Sequence, residues 1–497
     1  MHGISRGLRP HLSHEGRPTV VPRIIRRVAP LLAIAAALAL PAAASAASRP
    51  LALGFQDFDY TQTHFDRIKA SGAGVVKINI SWRAVAPTNP PANFNPASPV
   101  EPSYKWEPFD SYVRAAVATG LQPLLTVEQA AAYAERDKSG SPGTGNPDPV
   151  QFGLFGEAIA RRYSGAIPGL PRVRMFEAWN EPNANFFLNP QRAPDGRNMS
   201  PALYRELVNR FATGVHRVHQ DNIVVAGATF PFTINRASGV TIGPYRFLRE
   251  VLCLSEKLAV VPGCGPPVQF DVLSHHPYTS GGPTHKAGRP DSISLGDMKR
   301  LQRLLKTAVR KGRVSSRVPV RFWVTEFGWD SAPADPRGVP LALHARWVSE
   351  ALYRSWDAGV SLFVWYRLRD GPAAGAVQSG LWFRCEADIA CDKPKTLSLQ
   401  AFRFPFVAFR SRRRVDVWGR VPGGAARAKV AIERSRGGRW RRVKRLRSNS
   451  TGIFRARLKG PRKGSLRARL LSSKEASVPF SLKRVRDRHF NPFGSTG

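Results

Sequence analysis

Acidic residues are scarce in this chain. Its 497 residues hold 35 Asp and Glu against 75 Lys and Arg, a formal net charge of +40. Cysteine is scarcer still, at four residues. No C-x-x-C and no nearby His pair occurs, which argues against a zinc site and gives no reason to expect a metal. No organic cofactor is expected either. Long apolar runs are also missing. The longest lies near the N-terminus, at residues 28–40, and its 13 residues are too few to span a bilayer comfortably. No recognisable nucleic-acid-binding motif accompanies the positive charge, so nucleic acid is the weakest partner class.

What is present begins with an export signal. Arg23, Arg26 and Arg27 precede the apolar run, and Ala44-Ser45-Ala46 follows it. A basic segment, a short apolar segment and an A-x-A site read as a signal peptide over residues 1–46. The Arg26-Arg27 pair raises twin-arginine export, which its flanking residues support only weakly. The protein is therefore expected to be secreted or associated with the cell surface, with no transmembrane segment. The four cysteines agree with export, and three pairings are open in principle. Local pairing, Cys253 with Cys264 and Cys385 with Cys391, is expected because both intervals are loop-like.

The charge is unevenly spread. Residues 401–497 hold 28 Lys and Arg against 4 Asp and Glu. Adhesion to an anionic cell-surface polymer would use such a surplus. A genome that favours Arg codons would produce it as well.

Between residues 50 and 400, short β-like runs alternate with helical stretches. Eight strand candidates stand out, at 51–55, 75–80, 121–127, 173–179, 223–226, 270–274, 321–325 and 362–366. A helix over 204–219 follows Ser200 as N-cap and Pro201 at the first helical position. Another is expected over 341–356. Eight such alternations predict an α/β fold, a (β/α)8 barrel over residues 47–406. Long loops are expected at 87–102 and 139–149. After residue 406 the pattern changes to half-buried strands, with Gly437-Gly438 marking a hairpin. This predicts a small basic β-sandwich over 407–485 and a frayed tail over 486–497.

Two strands end in a glutamate. Phe176-Glu177-Ala178-Trp179-Asn180-Glu181-Pro182 closes the fourth, and Trp323-Val324-Thr325-Glu326-Phe327-Gly328 closes the seventh. The strand C-termini of a barrel line one pocket, so Glu181 and Glu326 are expected to face each other there. Paired carboxylates serve glycoside hydrolysis. Asn180 is positioned to hydrogen-bond a sugar 2-hydroxyl. Glu177 reads as a supporting partner for Lys77 or an Arg, and His275 and His344 as structural. Trp106, Trp179, Trp329 and Trp382 read mostly as core.

These motifs resemble the clan A retaining glycoside hydrolases, in the cellulase-like families 39 and 5, over roughly residues 50–406. The resemblance implies that Glu181 is the acid/base and Glu326 the nucleophile of a double displacement. It also implies carboxyl groups about 5–5.5 Å apart. His276-Pro277-Tyr278 is similar to the clan's H-x-Y, implying that Tyr278 contacts the nucleophile and His276 the sugar. Trp365 matches the tryptophan that floors the sugar site, and Trp82 the tryptophan after strand 2. Two positions depart from the pattern: Lys77 replaces an Arg, and Glu128 stands near an expected His and could contact a hydroxyl instead. The expected activity is hydrolysis of O-glycosidic bonds in a poly- or oligosaccharide. A barrel that binds polysaccharide without cleaving it, or a transglycosylase using the same residues, would carry the same motifs. Product analysis separates the three.

Overall fold

The computed structural model describes residues 49–236, 239–372, 376–460 and 463–485. The expected signal peptide and the tail at 486–497 lie outside the described residues. Eight parallel strands close into a barrel: β1 (Ala52–Gln56), β2 (Val75–Ser81), β3 (Gln122–Glu128), β4 (Met175–Ala178), β5 (Ile223–Thr229), β6 (Val272–His275), β7 (Arg321–Val324) and β8 (Val360–Tyr366). Each pairs with its neighbours in sequence, and β8 closes on β1 from Ala52↔Leu362 to Gln56↔Tyr366. All eight expected strands are present. The helices are α1 (Gln62–Ala70), α2 (Trp82–Val85), α3 (Phe109–Ala118), α4 (Pro149–Arg162), α5 (Ser200–Val218), α6 (Pro244–Val251), α7 (Met298–Arg310), α8 (Leu341–Asp357) and α9 (Thr396–Arg403). Among the described residues no helix is long and apolar enough to cross a membrane.

Strand alternation divides the side chains between two cores. Val75, Leu124, Met175, Val225, Val272, Trp323, Leu362 and Val364 fill the barrel interior. The intervening residues, such as Val76, Leu125, Phe176 and Phe363, face the helices and join the larger outer core. Above the apolar interior, on the same inward faces, lie Lys77, Thr126, Glu177 and Ser274, all fully buried. Buried charge at this level is costly unless paired, and the glutamate is: it accepts from Thr126 Oγ1 and Ser274 Oγ, each at 2.8 Å, and lies 3.4 Å from Lys77 Nζ.

Helix starts follow local chemistry. Asp148 caps α4 by accepting from the backbone N–H groups of Val150 and Gln151, with Pro149 in the first turn. Ser200 does not cap α5 as expected. It lies within the helix, Met199 takes the cap position, and the buried Ser200 hydroxyl donates to Gln191 Oε1 instead.

Beyond α9 come two antiparallel sheets. One has the order β9 (Phe406–Ser411), β10 (Arg414–Arg420), β13 (Ile453–Lys459). The other has the order β12 (Arg439–Arg447), β11 (Lys429–Arg436), β14 (Ser465–Leu470), β15 (Phe480–Ser481). Gly437 and Gly438, at φ 56° and 75°, form the β11–β12 turn; positive φ at both centres is what a tight right-twisted hairpin requires. Both local disulfides are present, Cys253–Cys264 and Cys385–Cys391, each with Cα atoms 5.7 Å apart.

Candidate active site

The C-terminal ends of β4, β6 and β7 bring Glu181, His276, Tyr278 and Glu326 together. The β4 strand stops at Ala178, and the chain turns through Trp179 (φ 71°) and Glu181 (φ 41°). Two non-glycine residues in the left-handed region cost about 1–3 kcal/mol each, a strain typical of functional sites. The turn is held because the Glu181 N–H donates to the Ala228 carbonyl of β5 at 2.9 Å, and Ala184 N–H returns to the Glu181 carbonyl. Glu326 follows β7 by two residues.

Ligand-type atoms of Glu181, His276 and Glu326 all lie within 4.8 Å of one another. His276 Nδ1 sits 2.9 Å from Glu181 Oε1 and 3.8 Å from Glu326 Oε2. Tyr278 OH donates to Glu326 Oε1 at 2.8 Å. Lys77 Nζ lies 3.8 Å from Glu326 Oε2. Two carboxylates and an imidazole can also hold a divalent metal. The Lys77 ammonium beside Glu326 opposes a second cation there, so the set is better suited to proton chemistry.

The two glutamates differ in their neighbours. Burial lifts the Glu181 carboxyl well above the ordinary glutamate range, and the Glu326 charge lifts it further. Burial also lifts Glu326 above the ordinary range, and the Lys77 charge and the Tyr278 hydrogen bond offset only part of that rise. Glu181 is therefore the more weakly acidic of the pair. Burial pulls Lys77 down, yet Glu177, Glu326 and Glu128 outweigh it and hold the ammonium above the usual lysine value. His276 is driven well below the ordinary histidine value by burial first and Lys77 second, so it is neutral.

Glu128 lies at the end of β3. Its Oε1 accepts from Asn79 Nδ2 at 3.0 Å, and burial raises its carboxyl above the ordinary range. Asn180 is buried, and its Oδ1 has no protein partner. Glu177 is indeed the partner of Lys77. His275 is structural, bonded to Thr229 Oγ1 and the Ile293 carbonyl, as is His344, bonded to Ser398 Oγ and the Trp329 carbonyl.

Two expected sugar-contacting tryptophans are elsewhere. Trp365 is fully buried on the outer face of β8, among Phe327, Trp329, His344 and Phe402, with Nε1 donating to the Ser379 carbonyl. Trp82 opens α2 and packs under Phe152, Phe155 and Tyr133. Neither ring reaches the pocket. The inward residue at the end of β8 is Tyr366, in line with Leu362 and Val364. Its ring lies 6.5 Å from Tyr278 and 6.1 Å from the exposed Phe58. Strand alternation is the signal that would have pointed to Tyr366, which the sequence reading missed. A separate cavity of about 770 Å³, lined by Val75, Met175, Trp323 and Leu362, opens at the opposite end of the barrel and includes no carboxylate.

No protein-family model matches the chain, and no curated protein matches it significantly. Among solved structures, it is similar to a family 39 glycoside hydrolase from the gut symbiont Bacteroides cellulosilyticus WH2. That match has a TM-score of 0.51 at 15% identity, over 84% of this chain and 82% of that one. A glucosidase from Croceicoccus marinus matches with a TM-score of 0.44 at 12% identity, over 82% and 92% of the two chains. Thermotoga maritima Cel5A, solved with mannotriose, matches with a TM-score of 0.41 at 16% identity, over 71% and 97%.

Proposed function

We propose that the protein is an exported retaining glycoside hydrolase acting on a poly- or oligosaccharide. One observation carries this reading: Glu181 and Glu326 place carboxylate oxygens within 4.8 Å of each other, with Lys77 and the Tyr278 hydroxyl against Glu326 of the pair. Retaining enzymes keep their carboxyl groups about 5–5.5 Å apart, whereas inverting enzymes leave room for a water at about 6.5–9.5 Å. The spacing supports retention.

Glu326, whose anion Lys77 and the Tyr278 hydroxyl stabilise, attacks the anomeric carbon. Glu181 delivers its proton to the departing oxygen. Water then enters, Glu181 takes its proton, and the bond from sugar to Glu326 breaks. Neutral His276 orients the Glu181 carboxyl without stabilising its anion, as an imidazolium would. Asn180 Oδ1 is free to accept from the sugar 2-hydroxyl, a contact that strengthens as positive charge develops on the ring. Tyr366, with Phe58, supplies the aromatic surface for the ring.

Screening on β-glucans, xylans, mannans and aryl glycosides tests the reading, with NMR of the first-formed anomer. Glu326→Gln is expected to abolish turnover. Glu181→Ala should cost about 10²–10⁴-fold on substrates with poor leaving groups and much less on activated ones. An inverted first product, or full activity of Glu181→Ala on a poor leaving group, would overturn the assignment. No turnover on any substrate would favour a binding barrel.

The partner proposed for the C-terminal sheets is an anionic cell-surface polymer. Edge strand β12 carries Arg439, Arg441, Arg442, Lys444, Arg445 and Arg447, and among the described residues none pairs with a carboxylate. A cleft of about 800 Å³ beside it gathers Lys429, Arg445 and Arg447. The two disulfides fit an exported protein.

A further inference from the structure

The wall of the pocket formed by β1, β2 and β3 has a fixed hydrogen-bond polarity. Gln56, Asn79 and Glu128 share the inward faces of these strands: Gln56 pairs in register with Lys77, Asn79 lies two residues beyond Lys77, and Glu128 pairs with Ser81. Gln56 Nε2 donates to Asn79 Oδ1 at 3.2 Å, and Asn79 Nδ2 donates to Glu128 Oε1 at 3.0 Å. The direction is set by the last member. A carboxylate only accepts, so Asn79 must turn its NH₂ towards Glu128 and its carbonyl towards Gln56. Gln56 must then spend an N–H on Asn79. What remains at the two ends of the row are acceptors, Gln56 Oε1 and Glu128 Oε2. Both are buried and have no protein partner. Asn180 Oδ1, on β4's loop, is a third.

Acceptors without a protein partner are the atoms to which the hydroxyl groups of a ligand can donate. Cations that could offset an anionic ligand are engaged. Lys77 is charge-paired with Glu177 at 3.4 Å and Glu326 at 3.8 Å, although its Nζ makes no hydrogen bond among the described residues, and Arg367 is held by Asp57 at 3.2 Å. His276 is neutral. Around the bound ring the wall therefore offers oxygen acceptors and negative charge, with no free cation among the side chains described above.

We infer that Gln56, Glu128 and Asn180 form an acceptor wall that selects an uncharged, hydroxyl-bearing glycosyl unit and rejects uronic acids, with Glu128 as the specificity-determining residue. This deepens the proposed function and rests on it only for the kinetic part of the test. Hydroxyl groups donate to the three acceptors. A sugar carboxylate offers no donor, and it meets Glu326 and Glu128 as like charges. Glu128 supplies both the acceptor and the repulsion, the two elements a selective site combines.

The kinetic test compares 4-nitrophenyl hexosides with the matching hexuronides, which differ only at C6. The wild type should prefer the neutral sugar by about 10³-fold in kcat/KM, several kcal/mol at tenfold per 1.4. Glu128→Gln keeps the shape and removes the charge. It should lower kcat/KM on the hexoside while narrowing the preference by about tenfold or more. Efficient hexuronide cleavage by the wild type, or an equal loss on both substrates in Glu128→Gln, overturns the inference. The second arm needs no turnover. Glu326→Gln protein is titrated with methyl hexosides and methyl hexuronides by tryptophan fluorescence. Salt of about 0.5 M screens the exposed β12 cations while leaving the buried wall largely unaffected. Selective binding of the neutral sugar upholds the wall even where the wild type hydrolyses nothing, which would sink the hydrolase reading alone. Equal binding, or binding of neither, overturns the wall.

Discussion

Glu181 and Glu326 start from the same carboxyl chemistry and are separated by what touches them. The Lys77 charge favours the anion of both and lies against Glu326. Its removal should therefore raise both carboxyls, Glu326 most. Lys77→Met is expected to move the acidic limb of the kcat/KM–pH profile upward, because the nucleophile must ionise, and the basic limb upward by less. An unmoved profile in an active, folded variant would contradict the proposed roles. Linkage gives the sign for stability. Burial raises Glu128 in the folded state, so folding holds its proton above the unfolded pKa, and stability falls as pH rises through that window. Glu128→Gln should consequently raise Tm at neutral pH and leave it unchanged near pH 3. Motifs made the residues of the pair and of H-x-Y legible, but tryptophan identity misled. Trp365 and Trp82 lie on the outer face or the helix layer, and only the period-2 phase of β8 distinguishes Trp365 from inward Tyr366. Trp365→Ala should cost about 3–5 kcal/mol of stability, measured by denaturant unfolding. Tyr366→Ala should instead lower kcat/KM about tenfold with near-native stability.

At the level of elements, the site depends on how closely neighbouring segments approach. A Cβ on Gly214 of α5 would meet the Gly153 carbonyl of α4 at 2.2 Å. Alanine gains about 1 kcal/mol of helix propensity over glycine, but a clash with backbone cannot be relieved by a rotamer change. Gly214→Ala should therefore be net destabilising, by about 1–3 kcal/mol in chemical denaturation. A stabilised variant would mean that α4 and α5 separate freely. The eight barrel strands were legible because each is a short apolar run between turn signals. The hairpin at Gly437-Gly438 was legible because its glycines are adjacent. The cap of α5 was not, because Ser200 spends its hydroxyl on Gln191, a partner nine residues away that spacing rules do not reach. Two-residue strands such as Ser331–Ala332 and Val339–Pro340 carry no periodicity at all.

At the scale of the whole molecule, charge is divided by location: acceptors and carboxylates line the pocket, while cations with no carboxylate partner among the described residues cover β12. Under the proposed reading, a neutral substrate and an anionic surface would be engaged at separate places. The obvious test of the basic sheets, truncation after residue 406, is a poor one. Helix α8 packs on them through Tyr353 against Phe409 and Trp356 against Trp418, while Arg346 reaches the Ser481 carbonyl at 2.8 Å and lies 3.9 Å over Phe480. Truncation would expose that apolar face and destabilise the barrel whatever the sheets bind. Replacing the six β12 cations with Gln leaves the packing intact, since all six are exposed and, among the described residues, none pairs with a carboxylate. The variant should keep the wild-type Tm within a few degrees. It should elute from immobilised polygalacturonate at markedly lower salt than the wild type, because each lost phosphate-like or carboxylate contact removes a screened Coulomb term. Elution at an unchanged salt concentration would leave the arginine surplus to codon usage and remove the proposed polymer partner, without touching the case for the two glutamates.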